Sequence, residues 1–352
     1  MRVLVVDATH GGLVLSEAFK RRGFDVVCVD VHRTLKDSDH RKYSGEFRIE
    51  STLPNPSDLS KYDLIVRPVH FPSSPFEGFE NRVITHHDAV RMLISDKIKF
   101  PVVEITGSFG KTTAVKCAIS ILRDHYSILS LTSEGITFTE GGRDDILLGN
   151  VSVTPANIIR AVELCPKEPD LAIFEVSLGG TGMADLGIIK NVYDNYPIAM
   201  GSSSALAAKL SMVRNRKPGS VILLNYDDPL LKGISHSQYF SIYSKNCEVY
   251  VEKYYNIDPY TTEIIINFNK FSTIRGEISS HTRVKSYKGI GSQNLENIVI
   301  GVSIAKFFNT SIDELEIPPE VFENKMVLED PSGPLVVNKS PAMNAKVVYA
   351  SI

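Results

Sequence analysis

Val102-Val103-Glu104-Ile105, followed by Thr106-Gly107-Ser108-Phe109-Gly110-Lys111-Thr112-Thr113, decides the fold. The first four residues are largely β-branched and read as a buried strand. The next eight form a glycine-rich turn, and helical spacing runs from 112 to about 122. Strand, glycine-rich turn and helix in that order is the context of a phosphate loop. There the glycines let backbone N–H groups turn toward phosphate oxygens, and the helix N-terminus adds partial positive charge. Gly107, Ser108, Phe109, Gly110, Lys111, Thr112 and Thr113 are therefore the expected nucleotide-binding residues. Lys111 would reach the terminal phosphates. The Thr112 hydroxyl, with Thr113 beside it, would sit on Mg²⁺. The full Walker pattern also asks for glycine at position 105, where this chain has Ile105. The alternative is a tight turn with a chance Gly-Lys-Thr.

Outward from this loop, apolar runs at 128–131, 171–176, 197–200 and 220–224 predict strands. Helices are expected between them at 155–164 and 203–216. Such alternation predicts a mostly parallel sheet. Residues 242–284 read as strand-rich and 291–308 as helical. Upstream, Val3 to Val6 predicts a strand, Gly11-Gly12 a turn, and 13–22 a helix ended by Gly23. A second strand over 26–31 makes a βαβ opening, a Rossmann-like start to an N-terminal domain. Further short strands are expected at 64–66 and 83–84. Gly-x-Gly-x-x-Gly is absent, so the Gly11-Gly12 turn is expected to admit part of a substrate rather than a nicotinamide nucleotide. The charged run Ser95-Asp96-Lys97-Ile98-Lys99 suggests a boundary between domains at 1–98 and 99–315.

The 352 residues carry 38 Lys+Arg against 41 Asp+Glu, a net charge of −3. That balance gives no electrostatic reason to expect nucleic acid or an anionic membrane as partner. A hydrophobic share of 43% with 22% charged residues excludes disorder as the main state. No apolar run approaches the ~18 residues that span a bilayer. The N-terminus has no signal-peptide pattern. Cys28, Cys117, Cys165 and Cys247 are scattered without paired spacing. They predict reduced thiols, hence a cytoplasmic protein, rather than a disulfide frame or a zinc site.

Thr-Gly-x-x-Gly-Lys-Thr-Thr at 106–113 resembles the Mur ligase superfamily, whose members use ATP to activate a carboxylate as an acyl phosphate. Further segments agree in order. Phe174-Glu175-Val176-Ser177 is similar to the strand end whose glutamate binds Mg²⁺. Ala207-Ala208-Lys209 resembles the segment of an often carbamylated lysine, with a solvated surface lysine as the alternative. Val221 to Asp228 resembles the strand ending in Asn-x-Asp-Asp. Gly291-Ser292-Gln293-Asn294-Leu295-Glu296-Asn297 resembles the segment near the adenine. The resemblance covers roughly 100–345. It implies a central P-loop ATPase domain with ATP and Mg²⁺ as cofactors. It implies catalytic roles for Lys111, Glu175 and Lys209, a metal held by Thr112 and Glu175, and nucleotide contacts from Asn294 and Asn297. Two histidines of the family pattern are missing: Tyr193-Asp194-Asn195-Tyr196 stands at one place and Gln293 at the other. Lys325 stands near an expected arginine.

The N-terminal motifs Asp7-Ala8-Thr9-His10-Gly11-Gly12, Arg67-Pro68-Val69-His70 and Thr85-His86-His87-Asp88 resemble a branch of this superfamily that closes a carbocyclic ring on a nickel tetrapyrrole. That implies phosphorylation of a propionate-derived carboxylate, then attack by a ring carbon with release of phosphate. Six of the nine histidines lie in the first 87 residues. His10, Gly11, Gly12, His70, His86 and His87 are the expected substrate-binding residues, surface loop histidines being the alternative. Arg67 and Arg91 are candidates for pairing with substrate carboxylates. Two other activities stay open: an amino-acid-adding ligase, or a non-catalytic ATP-binding protein. Because the family has three domains, 316–352 is expected to be the start of a truncated or reduced C-terminal domain.

Overall fold

The structure, a computed structural model, describes residues 1–258, 261–287, 292–322, 325–330 and 333–338. The first sheet is built from β1 (Arg2–Val6), β2 (Asp25–Val29), β3 (Arg48–Glu50), β4 (Leu64–Arg67) and β5 (Val83–Thr85). Its order is β3-β2-β1-β4-β5, parallel throughout. Parallel strands are covered on both faces, which is why Val3 to Val6 read as an unbroken apolar run and are fully buried. The connections carry α1 (Leu13–Arg21), α2 (Asp37–Tyr43) and α3 (Pro56–Leu59), and α4 (His86–Ile94) follows β5. Thr85 caps α4: its hydroxyl accepts from the Asp88 N–H at 3.1 Å, and the Asp88 carboxylate accepts from the Thr85 N–H at 3.2 Å.

The second sheet comprises β6 (Val102–Thr106), β7 (Ile128–Thr132), β8 (Gly135–Glu140), β9 (Arg143–Gly149), β10 (Leu171–Glu175) and β11 (Leu186–Ile189) from its first half. A two-stranded ribbon, β12 (Pro197–Ile198) with β13 (Ser203–Ser204), stands apart. The sheet continues with β14 (Val221–Asn225), β15 (Gln238–Ser241), β16 (Val249–Asp258), β17 (Thr261–Thr273), β18 (Gly276–Tyr287) and β19 (Glu314–Ile317). Its order is β19-β18-β17-β16-β15-β14-β11-β6-β10-β7-β8-β9. From β16 through β7 every pairing is parallel. Antiparallel hairpins flank that centre, β16-β17-β18 on one side and β7-β8-β9 on the other. The helices are α5 (Lys111–Leu122), α6 (Asn157–Leu164), α7 (Ala205–Lys209), α8 (Ser211–Arg214) and α9 (Ser292–Phe307). The strands β20 (Lys325–Asp330) and β21 (Gly333–Asn338) pair with each other.

β6 lies between β10 and β11, while the chain leaves it through α5 toward β7. Connections thus diverge on either side of its C-terminal end, the switch point at which α/β sheets open a crevice. One core packs α5 and α9 on the second sheet. Another is shared between the sheets: Leu15, Phe19, Val90 and Leu93 of the first lie in one cluster with Leu129, Ile158, Ile159 and Phe174 of the second.

The mostly parallel α/β architecture agrees with the sequence reading, with local differences. The strand expected at 197–200 stops at Ile198, where Ala199 and Met200 turn to φ values of 51° and 54°. The helix expected at 203–216 breaks at Leu210 into α7 and α8. β8, β9 and β11 had no sequence-based expectation. Among the described residues no helix is long and apolar enough to cross a membrane. Most of 316–352 lies outside the described side chains, as do the side chains of Gln293 and Lys325.

Candidate nucleotide site and N-terminal histidine cluster

The glycine-rich loop runs from the end of β6 into α5. Gly110 takes φ 76° as the N-terminal cap of α5, a left-handed conformation that suits glycine. A Cβ there would also lie 2.7 Å from Lys190 Cε and 3.0 Å from Asn297 Oδ1. The loop is braced from β11. Asn191 Oδ1 accepts from the backbone N–H of Ser108 at 2.8 Å and of Phe109 at 3.3 Å, and the Ser108 hydroxyl donates to Val192 O at 2.8 Å.

Three expected site residues meet at one point. Lys111 Nζ donates to Gly107 O at 3.0 Å and lies 3.5 Å from Glu175 Oε1. The Thr112 hydroxyl donates to Glu175 Oε2 at 2.7 Å, and Ser133 Oγ lies 3.0 Å from Thr112 Oγ1. Glu175 ends β10 beside β6, so the parallel pairing carries its carboxylate to the loop. Hydroxyl, carboxylate and ammonium thus stand where a helix N-terminus favours anionic charge. The donor set fits Mg²⁺, a hard cation usually bound through one or two protein oxygens plus phosphates and water. Thr113 is buried in α5.

Behind the loop is a buried polar network that the sequence reading missed. Lys190 is ion-paired with Glu296, which also accepts from Tyr193 Oη and Asn225 Nδ2 at 3.0 Å each. Tyr193 stacks on Phe109, ring centroids 5.4 Å apart. Asp228 holds the neighbouring turn by accepting from the N–H groups of Val192 and Tyr193. Asn297 is buried beside Gly110 and Asn294 is buried in α9. Lys209 is 2% exposed at the end of α7, so it is not a solvated surface lysine. Burial, with Lys111 adding and Asp228 opposing, pushes its ammonium down to about 8.

The N-terminal candidates divide. His86 is 1% exposed with Nε2 2.9 Å from Val6 O, and His87 is 4% exposed with Nε2 2.9 Å from Ser177 O. Burial pushes the His86 imidazole down to about 4, against the partial support of Val6 O and Asp7. Gly11 and Gly12 lend their missing side chains to protein atoms: a Cβ would meet Ala156 Cβ at 2.8 Å and Asp7 O at 2.4 Å respectively. Burial encloses the two imidazoles, and the two glycines stand where protein atoms leave no room for a side chain. Arg67 donates to Phe71 O, and Arg91 to Asn215 O and Asp88. His10 and His70 remain at the surface, their rings turned to the Asp7 carboxylate.

No protein-family model matches the chain. It is 34% identical over 237 residues to the coenzyme F(430) synthetase of Methanosarcina acetivorans, covering 64% of this chain and 50% of that protein. It is 29% identical over 226 residues to the coenzyme F(430) synthetase of Methanocaldococcus jannaschii, covering 60% and 50%. The chain thus spans about half the length of the curated relatives it matches. Among solved structures, MurF from Acinetobacter baumannii superposes with a TM-score of 0.53 at 12% identity, covering 99% of this chain and 69% of that one, which places the fold.

Proposed function

We propose that the chain, which is similar to coenzyme F(430) synthetases and shares the fold of MurF, is a Mur ligase superfamily member that takes part in an ATP-dependent ligase reaction. In it, a carboxylate of a nickel-containing seco tetrapyrrole is activated and the last carbocyclic ring is closed, in the cytoplasm. The observation that carries the reading is the convergence of Lys111, Thr112 and Glu175 at the start of α5. Residues 99–315 form the ATP-binding unit on this reading, residues 1–98 the substrate-binding unit, and residues from 316 onward the beginning of a third.

A carboxylate is a poor electrophile, so phosphorylation supplies a leaving group. One carboxylate oxygen bonds to the γ-phosphorus of ATP, the bond from that phosphorus to the β–γ bridging oxygen breaks, and ADP leaves. A ring carbon that has lost its proton then bonds to the acyl carbon, and phosphate leaves with the C–O electron pair. The N–H groups of the 107–110 turn, the α5 N-terminus and Lys111 oppose the charge that builds on the transferred phosphoryl group. Lys111 needs only to exchange Gly107 O for a phosphate oxygen. Thr112 and Glu175 would hold Mg²⁺, which supplies further charge neutralisation on the phosphates. Asn297 and Asn294 lie on the nucleotide side in this reading. Lys209 has a neutral amine fraction near pH 8, the form that reacts with carbon dioxide to give a metal-binding carbamate.

Phosphate release measured with Mg²⁺-ATP and either the nickel seco precursor or free amino acids tests the proposal. Release that depends on the tetrapyrrole supports it. Release driven by an amino acid assigns an amino-acid-adding ligase, and ATP binding without release in either mixture assigns a non-catalytic protein.

A further inference from the structure

The first strand of the N-terminal sheet ends in a cluster of ligand-type side chains that the ATP reaction does not use. Asp7 follows β1 with φ 70° and ψ 78°, a left-handed conformation uncommon outside glycine. Its carboxylate is 0% exposed. Three imidazoles surround one of its oxygens, Oδ2: His10 Nδ1 at 2.7 Å, His70 Nε2 at 3.0 Å and His32 Nε2 at 3.5 Å. The His10 ring stands nearly perpendicular to both others, with centroids 5.4 Å from His32 and 5.0 Å from His70. The ligand atoms of Asp7, His10 and His70 all lie within 4.8 Å of one another.

We propose that Asp7, His10 and His70 bind a divalent transition metal of the zinc, cobalt or nickel class, with water completing the coordination and His32 beside the site, 3.5 Å from Asp7 Oδ2. The spacing fits. Zinc bonds of about 2.0–2.2 Å in tetrahedral array set ligand atoms about 3.3 Å apart. The carboxylate-to-imidazole separations of 2.7 and 3.0 Å approach that value. Imidazole with a single carboxylate is a donor set for zinc-class ions, whereas magnesium and calcium prefer oxygen alone. The chain comes to the site from three connections: His10 after β1, His32 after β2 and His70 after β4, neighbours in the sheet order. A purely hydrogen-bonded account puts up to three N–H donors on one carboxylate oxygen, while the other, Oδ1, accepts only from the His10 N–H at 3.2 Å. An ion at the centre gives the His10 and His70 ring nitrogens a partner of their own. The cluster is open on one side, with side-chain exposures of 48%, 46% and 30% for His10, His32 and His70, so an ion has a route in. This site is independent of the ligase reading and stands or falls without it.

The test uses the untagged 352-residue chain, stripped with chelator and then equilibrated with Zn²⁺, Co²⁺ or Ni²⁺. The expected result is about one ion per chain by elemental analysis, the visible absorption of four-coordinate cobalt, and a higher melting temperature with Zn²⁺. His10→Ala and His70→Ala should each weaken binding by at least about tenfold. His32→Ala should weaken it less. The two exposed histidines are chosen because their loss leaves the fold intact, which unchanged far-ultraviolet circular dichroism verifies; Asp7→Asn is the secondary variant. No retained metal in the wild-type chain would overturn the proposal and leave a carboxylate–histidine hydrogen-bond network. So would binding that is the same in His10→Ala and His70→Ala.

Discussion

The chain uses the same local design twice, with opposite chemical sign. β1 opens a parallel sheet and β6 the parallel centre of a mixed one, and each ends in a glycine-containing turn that opens a helix. After β6 the turn gathers N–H groups, Lys111 and a helix end, a setting for anions. After β1 the turn buries a carboxylate under imidazoles, a setting for a cation. Burial alone would raise the Asp7 carboxyl. The hydrogen bonds from His70 and His10, with the His10 charge, outweigh it and hold the group below the usual carboxylate range. Strand–turn–helix topology therefore supplies a place for a site, and the side chains that the turn and its neighbouring connections bring to the strand end decide which charge it accepts.

The sharpest way to break the comparison is Lys111→Ala. It removes the ammonium that defines the anionic half, and phosphate release should fall by about 10³-fold. Retained activity would undo the ATP-based reading altogether. Next comes acid. The His86 imidazole is pushed down to about 4 by burial, so the folded chain keeps it neutral where the unfolded chain, titrating near 6.5, takes up a proton. Its contribution is present above pH 6.5 and is lost as pH falls toward 4. It should amount to about 3 kcal/mol at most. Denaturant unfolding across that window should show the loss, with a flatter slope in His86→Gln; parallel slopes would place the acid sensitivity elsewhere. The smallest effect concerns the brace of the anionic loop. Asn191→Ala strips an acceptor from the Ser108 and Phe109 N–H groups, and should weaken ATP binding by about 2 kcal/mol, roughly 30-fold. An unchanged ATP affinity by calorimetry would show that the loop holds its shape without β11.

The phosphate loop is legible in the sequence because it is contiguous: eight adjacent residues carry its turn, charge and hydroxyl. Its supports are not. Asn191 lies 83 residues from Ser108, and Lys190 lies 106 residues from Glu296. Only the insertion of β11 and β10 beside β6 brings them together. β11 itself, Leu186-Gly187-Ile188-Ile189, is a four-residue run too short to separate from a buried helix by periodicity. The burial of His86 and His87 is hidden in the sequence for a related reason. A histidine pair suggests a binding surface, but the Thr85–Asp88 capping box starts a helix there and turns both rings inward. Gly11 and Gly12 imply an open turn until Thr154 and Ala156 are seen beside the first and the Asp7 carbonyl beside the second. The Asp7 cluster needed three separate connections, and the sequence spacing from 7 to 70 carries no sign of their meeting.

The core shared by the two sheets has a mechanical consequence. α1 and α4 belong to the first sheet and α6 to the second, yet their apolar faces lie in one cluster. A hinge there would have to expose Val14, Ala18, Leu93 and Ile158 to water at every stroke, at about 25 cal/mol for each Å² uncovered. The shared core therefore acts as a weld between the two sheets, resisting any motion that would part them.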